Sequence, residues 1–138
     1  IKKREKGHDE TSVLAGVPLA MPALLRAFEV SNRAARCGFE WNDVDGVWDK
    51  LREEEQELRE AAATSDKEAT TREMGDLLFT VVNLARWLGV EPEDALRRMI
   101  DRFSTRFQQM EATADKPLHS LNAEEWETLW QKAKSVSN

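Results

Sequence analysis

The sequence predicts an all-α protein: an antiparallel four-helix bundle-like core, a short extra C-terminal helix, and pairing with a second copy. Three observations carry this. Apolar residues recur at helical spacing through most of the chain, while two-residue alternations stay short. Only 6 Gly and 4 Pro interrupt 138 residues, and Tyr is absent. Asp, Asn, Ser, Pro and Gly stand at the edges of the periodic stretches, where helices start and stop.

Residues 1–16, opening IKKREKGHDETSVLA, are polar and aperiodic, and read as a flexible lead-in or interdomain linker. Without an initiator Met, the chain reads as a piece of something longer. Residues 17–138 read as one helical domain. Pro18 and Pro22 introduce a helix from Met21 to Arg36, with Leu24, Leu25, Phe28 and Val30 on one face and Gly38 as its stop. A second helix is expected from Asn42 or Asp43 to Ala63, since either side chain can accept a first-turn amide. Val44, Val47, Trp48, Leu51 and Leu58 give it an apolar stripe.

Ser65 or Asp66 is the expected cap of a third helix, which runs to Leu88 and stops at Gly89. Its apolar residues, among them Met74, Leu77, Leu78, Phe79, Val81, Val82 and Leu84, cover most of its circumference, so it is expected to be buried at the centre. The fourth helix begins at Pro92, with Glu93 and Asp94 favourably placed in its first turn. It carries the stripe Leu96, Met99, Ile100, Phe103, Phe107 and Met110. Asn122 with Glu125 resembles a capping box for the last helix, which bears Trp126, Leu129 and Trp130.

Charge and composition then exclude several functions. Twenty Lys+Arg against 26 Asp+Glu leave a net charge of −6, which argues against a general nucleic-acid binder. Cys37 has no partner for an internal disulfide, so a reducing cytoplasm is the expected compartment. No apolar run approaches the ~20 residues needed to span a bilayer, so no membrane partner is expected. His8 and His119 lack ligand-spaced companions, which disfavours zinc and the di-iron sites of helical bundles.

The carboxylates do not fit a purely solvated surface. On the second helix, Glu53, Glu54 and Glu57 share one side, and Glu54 takes a place in the apolar stripe between Leu51 and Leu58. Like charges at this spacing repel, and a bound cation reverses the cost. On the third helix, Glu73, Asp76, Thr80 and Asn83 form a polar line on an otherwise apolar rod, so Asp76 is expected to be buried and in need of a cation or donor. Two helices that each offer an acidic pair to a shared interior describe an all-oxygen site for Mg²⁺, with Mn²⁺ as a substitute. There is no Walker loop, so phosphates would be held by metal and by cations such as Arg102 and Arg106, four apart on the fourth helix.

These residues resemble the MazG-type nucleoside triphosphate pyrophosphohydrolases, in the group that includes dimeric dUTPases and phosphoribosyl-ATP pyrophosphohydrolases. That pattern is Glu-Glu-x-x-Glu on one helix and Glu-x-x-Asp on the next. Here the two segments read Glu53-Glu54-Glu55-Gln56-Glu57 and Glu73-Met74-Gly75-Asp76. The segments GVPLAMPALLRA, GFEW, KLREEEQEL and EMGDLLFTVVNLARWLG extend the likeness from Val17 to Lys134. The lead-in resembles the segment joining the halves of two-domain members, so residues 17–138 look like a C-terminal catalytic domain.

The resemblance implies Mg²⁺-dependent hydrolysis of a nucleoside triphosphate to the monophosphate and pyrophosphate, as house-cleaning of the nucleotide pool. It implies that Glu54, Glu57, Glu73 and Asp76 ligate the metal, with Glu53 adding to the cluster or orienting the attacking water. Lys50, Arg102 and Arg106 would meet the phosphates, with Arg102 where relatives more usually carry Lys. It also implies a cytoplasmic homodimer with sites at or near the subunit interface. Phe39, Trp41, Trp48 and Trp87 either stack a base or pack in the core, and core packing is the more ordinary role. Asn83 either reads a sugar or base edge or bonds to a neighbouring helix. Two other functions compete: a catalytically inactive dimerisation module of a two-domain protein, and a relative specialised for a single nucleotide such as dUTP or dCTP.

Overall fold

The computed structural model describes residues 12–137, and the expected lead-in over residues 1–11 lies outside them. The order is α1 (Ala23–Arg36), α2 (Val44–Ala63), α3 (Lys67–Trp87), α4 (Pro92–Thr113), a 3-10 turn (Leu118–Ser120) and α5 (Ala123–Val136). No strand occurs among the described residues, so the all-helical class stands. The chain divides into two compact units, the first ending at Glu93 and the second beginning at Asp94.

In the first unit, the helix ends follow local chemistry. Asp43 Oδ1 accepts from the Gly46 amide at 3.1 Å to start α2, and Asp66 Oδ1 accepts from the Ala69 amide at 3.2 Å to start α3. α1 ends in a left-handed Gly38, φ +102°, with the Phe39 amide bonded back to the Ala34 carbonyl at 3.1 Å. Gly89 closes α3 in the same way, with φ +72° and Val90 N–H on the Ala85 carbonyl at 2.9 Å. Arg33 Nη1 donates to the Val13 and Ala15 carbonyls at 3.2 and 2.6 Å, which ties the turns before α1 to that helix.

The three-residue link 64–66 folds α2 back along α3, and α1 packs on α3 as well. Val47, Val82 and Leu84 are buried here, together with Ser31, Glu54, Thr80 and Asn83. α3 is therefore the helix its neighbours share, but the expectation that it is buried all round is corrected. Met74, Leu78, Val81 and Leu88 stay exposed. They fall at i, i+4, i+7 and i+14, one stripe, while the polar line of Thr80 and Asn83 is the side turned inward.

In the second unit, aromatic rings join α4 to α5. Phe103 meets Trp130 with centroids 5.8 Å apart, and Phe107 meets Trp126 at 6.1 Å. Rising numbers on one helix pair with falling numbers on the other, so the two run antiparallel. The Asn122–Glu125 capping box is formed in both directions at the head of α5.

Candidate metal centre

Glu54 anchors the site. It occupies a core position of α2, where helical periodicity turns it toward α3, and only 4% of its surface is exposed. One oxygen each from Glu53, Glu54 and Glu57 lie within 4.8 Å of one another, and so do one each from Glu54, Glu73 and Asp76. Glu54 belongs to both groups. The antiparallel α2–α3 hairpin thus brings together all five carboxylates expected from the sequence.

The local electrostatics favour a cation. Glu54 Oε1 is met by Lys50 Nζ at 3.1 Å, and the same ammonium reaches Glu53 Oε1 at 3.4 Å. Glu54 Oε2 and Glu73 Oε2 are buried with no hydrogen-bond partner. Such an oxygen costs its desolvation without return unless a cation or donor sits against it. The charge of Glu54 beside Glu57 pushes the Glu57 carboxyl above its usual range, with burial and then the Glu73 and Glu53 charges adding to the effect. The hydrogen bond to Glu54 holds the Lys50 ammonium above the usual lysine value. Crowded carboxylates with orphaned oxygens fit a hard divalent ion, which takes oxygen ligands. Either group, Glu53 with Glu54 and Glu57 or Glu54 with Glu73 and Asp76, could hold it.

One expectation about this site is corrected. Asp76 is exposed, and Glu54 is the buried carboxylate. Full burial on the polar line of α3 begins only at Thr80, so water reaches the Asp76 charge. Thr80 Oγ1 donates to the Asp76 carbonyl at 2.9 Å. The Asn83 amide donates to the Phe79 carbonyl at 3.0 Å, and its oxygen accepts from Arg86 Nη2 at 2.8 Å, so its bonds stay within α3. In the second unit, Arg102 is exposed, with Nη2 3.4 Å from the Met99 sulfur. Arg106 lies over the Trp130 ring at 5.5 Å and donates to Ser137 Oγ at 3.3 Å.

A network not anticipated from the sequence joins the link before α2 to the end of α3. Glu40 Oε1 accepts from Arg86 Nη2 and from Trp87 Nε1, both at 2.9 Å, while Oε2 accepts from Arg86 Nη1. The Trp41 amide adds a fourth bond to this carboxylate at 3.1 Å. The only signal was an acid in GFEW and a base in the last turn of α3, 46 positions apart. Arg86 holds the Glu40 carboxyl below its usual range, against the opposing effect of burial.

A lowered carboxylate pKa contributes stability above the ordinary glutamate value, and that contribution disappears as pH falls through the folded-state value. Glu40→Gln is therefore expected to lower the melting temperature at pH 7, for a stability loss of about 1 kcal/mol or less in a partly exposed pair. The difference from the parent should shrink as pH falls below the ordinary glutamate range, and scanning calorimetry at pH 7 and through an acid series checks both statements.

The profile of the MazG nucleotide pyrophosphohydrolase domain matches residues 45–110. Over 137 residues the chain is 40% identical to the Nucleoside triphosphate pyrophosphohydrolase/pyrophosphatase MazG of Thermotoga maritima, covering 97% of this chain and 52% of that protein. The chain belongs to the MazG family. It is also 37% identical over 140 residues to the Nucleoside triphosphate pyrophosphohydrolase of Escherichia coli K12, covering 97% of this chain and 53% of that protein. With the uncharacterized protein YabN of Bacillus subtilis it shares 39% over 140 residues, 99% of this chain and 29% of that one. The chain spans about half the length of the first two relatives. Lys50, the five carboxylates, Asn83, Arg102 and Arg106 all fall inside the MazG match, whereas Glu40 lies before it.

Proposed function

We propose that residues 17–138 are a catalytic MazG domain that hydrolyses nucleoside triphosphates to the monophosphate and pyrophosphate, using Mg²⁺ or, in its place, Mn²⁺. The observation that carries this reading is the pair of buried, partnerless oxygens on Glu54 and Glu73 inside a cluster of five acids. The names of the relatives from Thermotoga maritima and Escherichia coli supply the reaction. A divalent ion in this site neutralises charge on phosphoryl oxygens and lowers the pKa of a water molecule.

The chain's own residues do the rest. Glu54, Glu57, Glu73 and Asp76 hold the ion. Glu53, at the exposed rim, orients the attacking water and accepts its proton. Lys50, Arg102 and Arg106 carry the cationic charge that binds the triphosphate, and Arg106 is steadied by its stacking on Trp130. Asn83, bonded to Arg86 and to the Phe79 carbonyl, is the residue of α3 that would touch the nucleoside. The test is release of pyrophosphate from mixed nucleoside triphosphates with and without Mg²⁺. Folded protein that yields none with Mg²⁺ present would refute the reading and favour a non-catalytic dimerisation module.

We further propose a cytoplasmic homodimer that clears aberrant nucleotides. The exposed α3 stripe Met74, Leu78, Val81 and Leu88 follows the 4-3 spacing of a helix–helix seam and supports pairing. Light scattering is expected to give a mass near twice 15.8 kDa. Leu78→Asp, which places a charge in the seam, should shift the species to the monomer at micromolar concentration. A monomeric parent protein overturns the pairing.

A further inference from the structure

A second feature of the first unit lies outside both the acidic cluster and the MazG match. Phe39, Glu40 and Trp41 line an apolar recess of about 270 Å³. That is just below the volume range of drug-sized pockets and suits a single heterocycle. Phe39 is 82% exposed, a large aromatic face offered to solvent. The Trp41 ring is set by Gly46: its Cδ1 lies 3.0 Å from where a β-carbon on that glycine would stand.

The recess is in line with the metal centre. Gly46, Lys50 and Glu54 follow one another at four-residue steps on one side of α2, and Lys50 Nζ is 3.1 Å from Glu54 Oε1. Eight residues of helix cover about 12 Å. A ligand that is aromatic at one end and polyanionic at the other matches this order of aromatic ring, ammonium and acidic cluster.

We propose that Phe39 and Trp41 stack the base of the nucleoside triphosphate without reading its hydrogen-bonding edge, so that purines and pyrimidines are held alike. This rests on the pyrophosphohydrolase reading above for its ligand. The second half follows from Glu40, the polar side chain of the recess. Its carboxylate already accepts from Arg86 twice, from Trp87 Nε1 and from the Trp41 amide. Three of those bonds crowd Oε1 and the Arg86 fork engages Oε2, so a donor on a base would have to compete with partners already in place. Stacking tolerates every base because each has a π-face.

The test compares the full chain with Phe39→Ala, a change at an exposed position, after melting curves show the two equally stable. Equilibrium binding in Mg²⁺ is measured for the α,β-methylene analogues of ATP and UTP and for inorganic tripolyphosphate. Phe39→Ala is expected to weaken both analogues about tenfold and to leave tripolyphosphate unchanged. Phe39→Tyr should restore the affinity. Unchanged analogue binding, a loss confined to one base, or an equal loss for tripolyphosphate overturns the proposal. Wild-type protein that binds the analogues but releases no pyrophosphate from the natural nucleotides sinks the pyrophosphohydrolase reading alone, and the Phe39 comparison still decides the stacking site. Wild-type protein that binds neither analogue sinks both.

Discussion

Glu54→Leu is expected to abolish turnover and, in the same molecule, to raise the thermal stability of the metal-free protein. Glu54 is buried on the apolar stripe of α2, with one oxygen on Lys50 and the other on nothing. Leucine continues the series Val47, Leu51 and Leu58, and removes a desolvated charge whose partner is itself partly exposed. Replacing buried ion pairs by apolar side chains of similar size often stabilises by about 1–4 kcal/mol, and the lower half of that range suits a pair open to solvent at one end. The catalytic loss follows from the same position, because Glu54 is the carboxylate that both acidic groups share. Outer-shell changes at metal sites already cost about 10–100-fold, so removal of this proposed ligand should exceed that.

Melting curves in EDTA, Mg²⁺ titration calorimetry and pyrophosphate release check the three parts separately. Glu55→Gln is the control, since Glu55 is exposed and paired with Arg59 at 2.8 Å, away from the cluster. A lower melting temperature in EDTA, or an undiminished heat of Mg²⁺ binding, would show that Glu54 is an ordinary structural acid. The opposed signs are the informative feature: a residue that costs stability in the empty protein is kept for what it binds.

Much of this was legible because it is local. Asp43, Asp66, the Asn122–Glu125 pair and glycines 38 and 89 mark helix ends through bonds only three to five residues long, and these appear in the sequence as spacing. The acidic cluster was legible for a related reason: a glutamate at a position that periodicity assigns to the core is a contradiction that calls for a partner. What escaped depends on how far neighbouring helices reach. Which of Glu54 and Asp76 is desolvated depends on where along α3 its neighbours begin to cover it. The polar line alone could not locate that point. The apolar excess of α3 was visible, but sequence periodicity cannot say whether its own chain covers every side. The Glu40–Arg86 bond joins a link to a helix end with no periodic relation between them, and pattern reading has no purchase there.

Lys50→Met is expected to bind Mg²⁺ more tightly than the parent while turning over more slowly. Without metal the Lys50 ammonium sits on Glu54 and Glu53, where it partly offsets their charge. A divalent ion arriving at Glu54 therefore meets a positive charge already engaged with its ligand. A divalent and a unit charge ~4 Å apart repel by about 8 kcal/mol at an effective dielectric of 20, and for a partly exposed, mobile ammonium about 1 kcal/mol of that should remain. Removing it should tighten Mg²⁺ binding about fivefold. Without metal, the variant leaves Glu54 buried with neither oxygen partnered, so its melting temperature in EDTA should drop.

Saturating Mg²⁺ should then recover more stability in the variant than in the parent, because binding to the native state alone stabilises in proportion to RT ln(1 + [L]/Kd). Turnover should nevertheless fall, since the ammonium displaced from Glu54 is the group proposed to meet the triphosphate. Calorimetric Mg²⁺ titration, melting curves with and without the ion, and steady-state rates separate these effects. Weaker Mg²⁺ binding in Lys50→Met would instead make the lysine a support that holds the carboxylates in place for the metal, with no competition between the two cations.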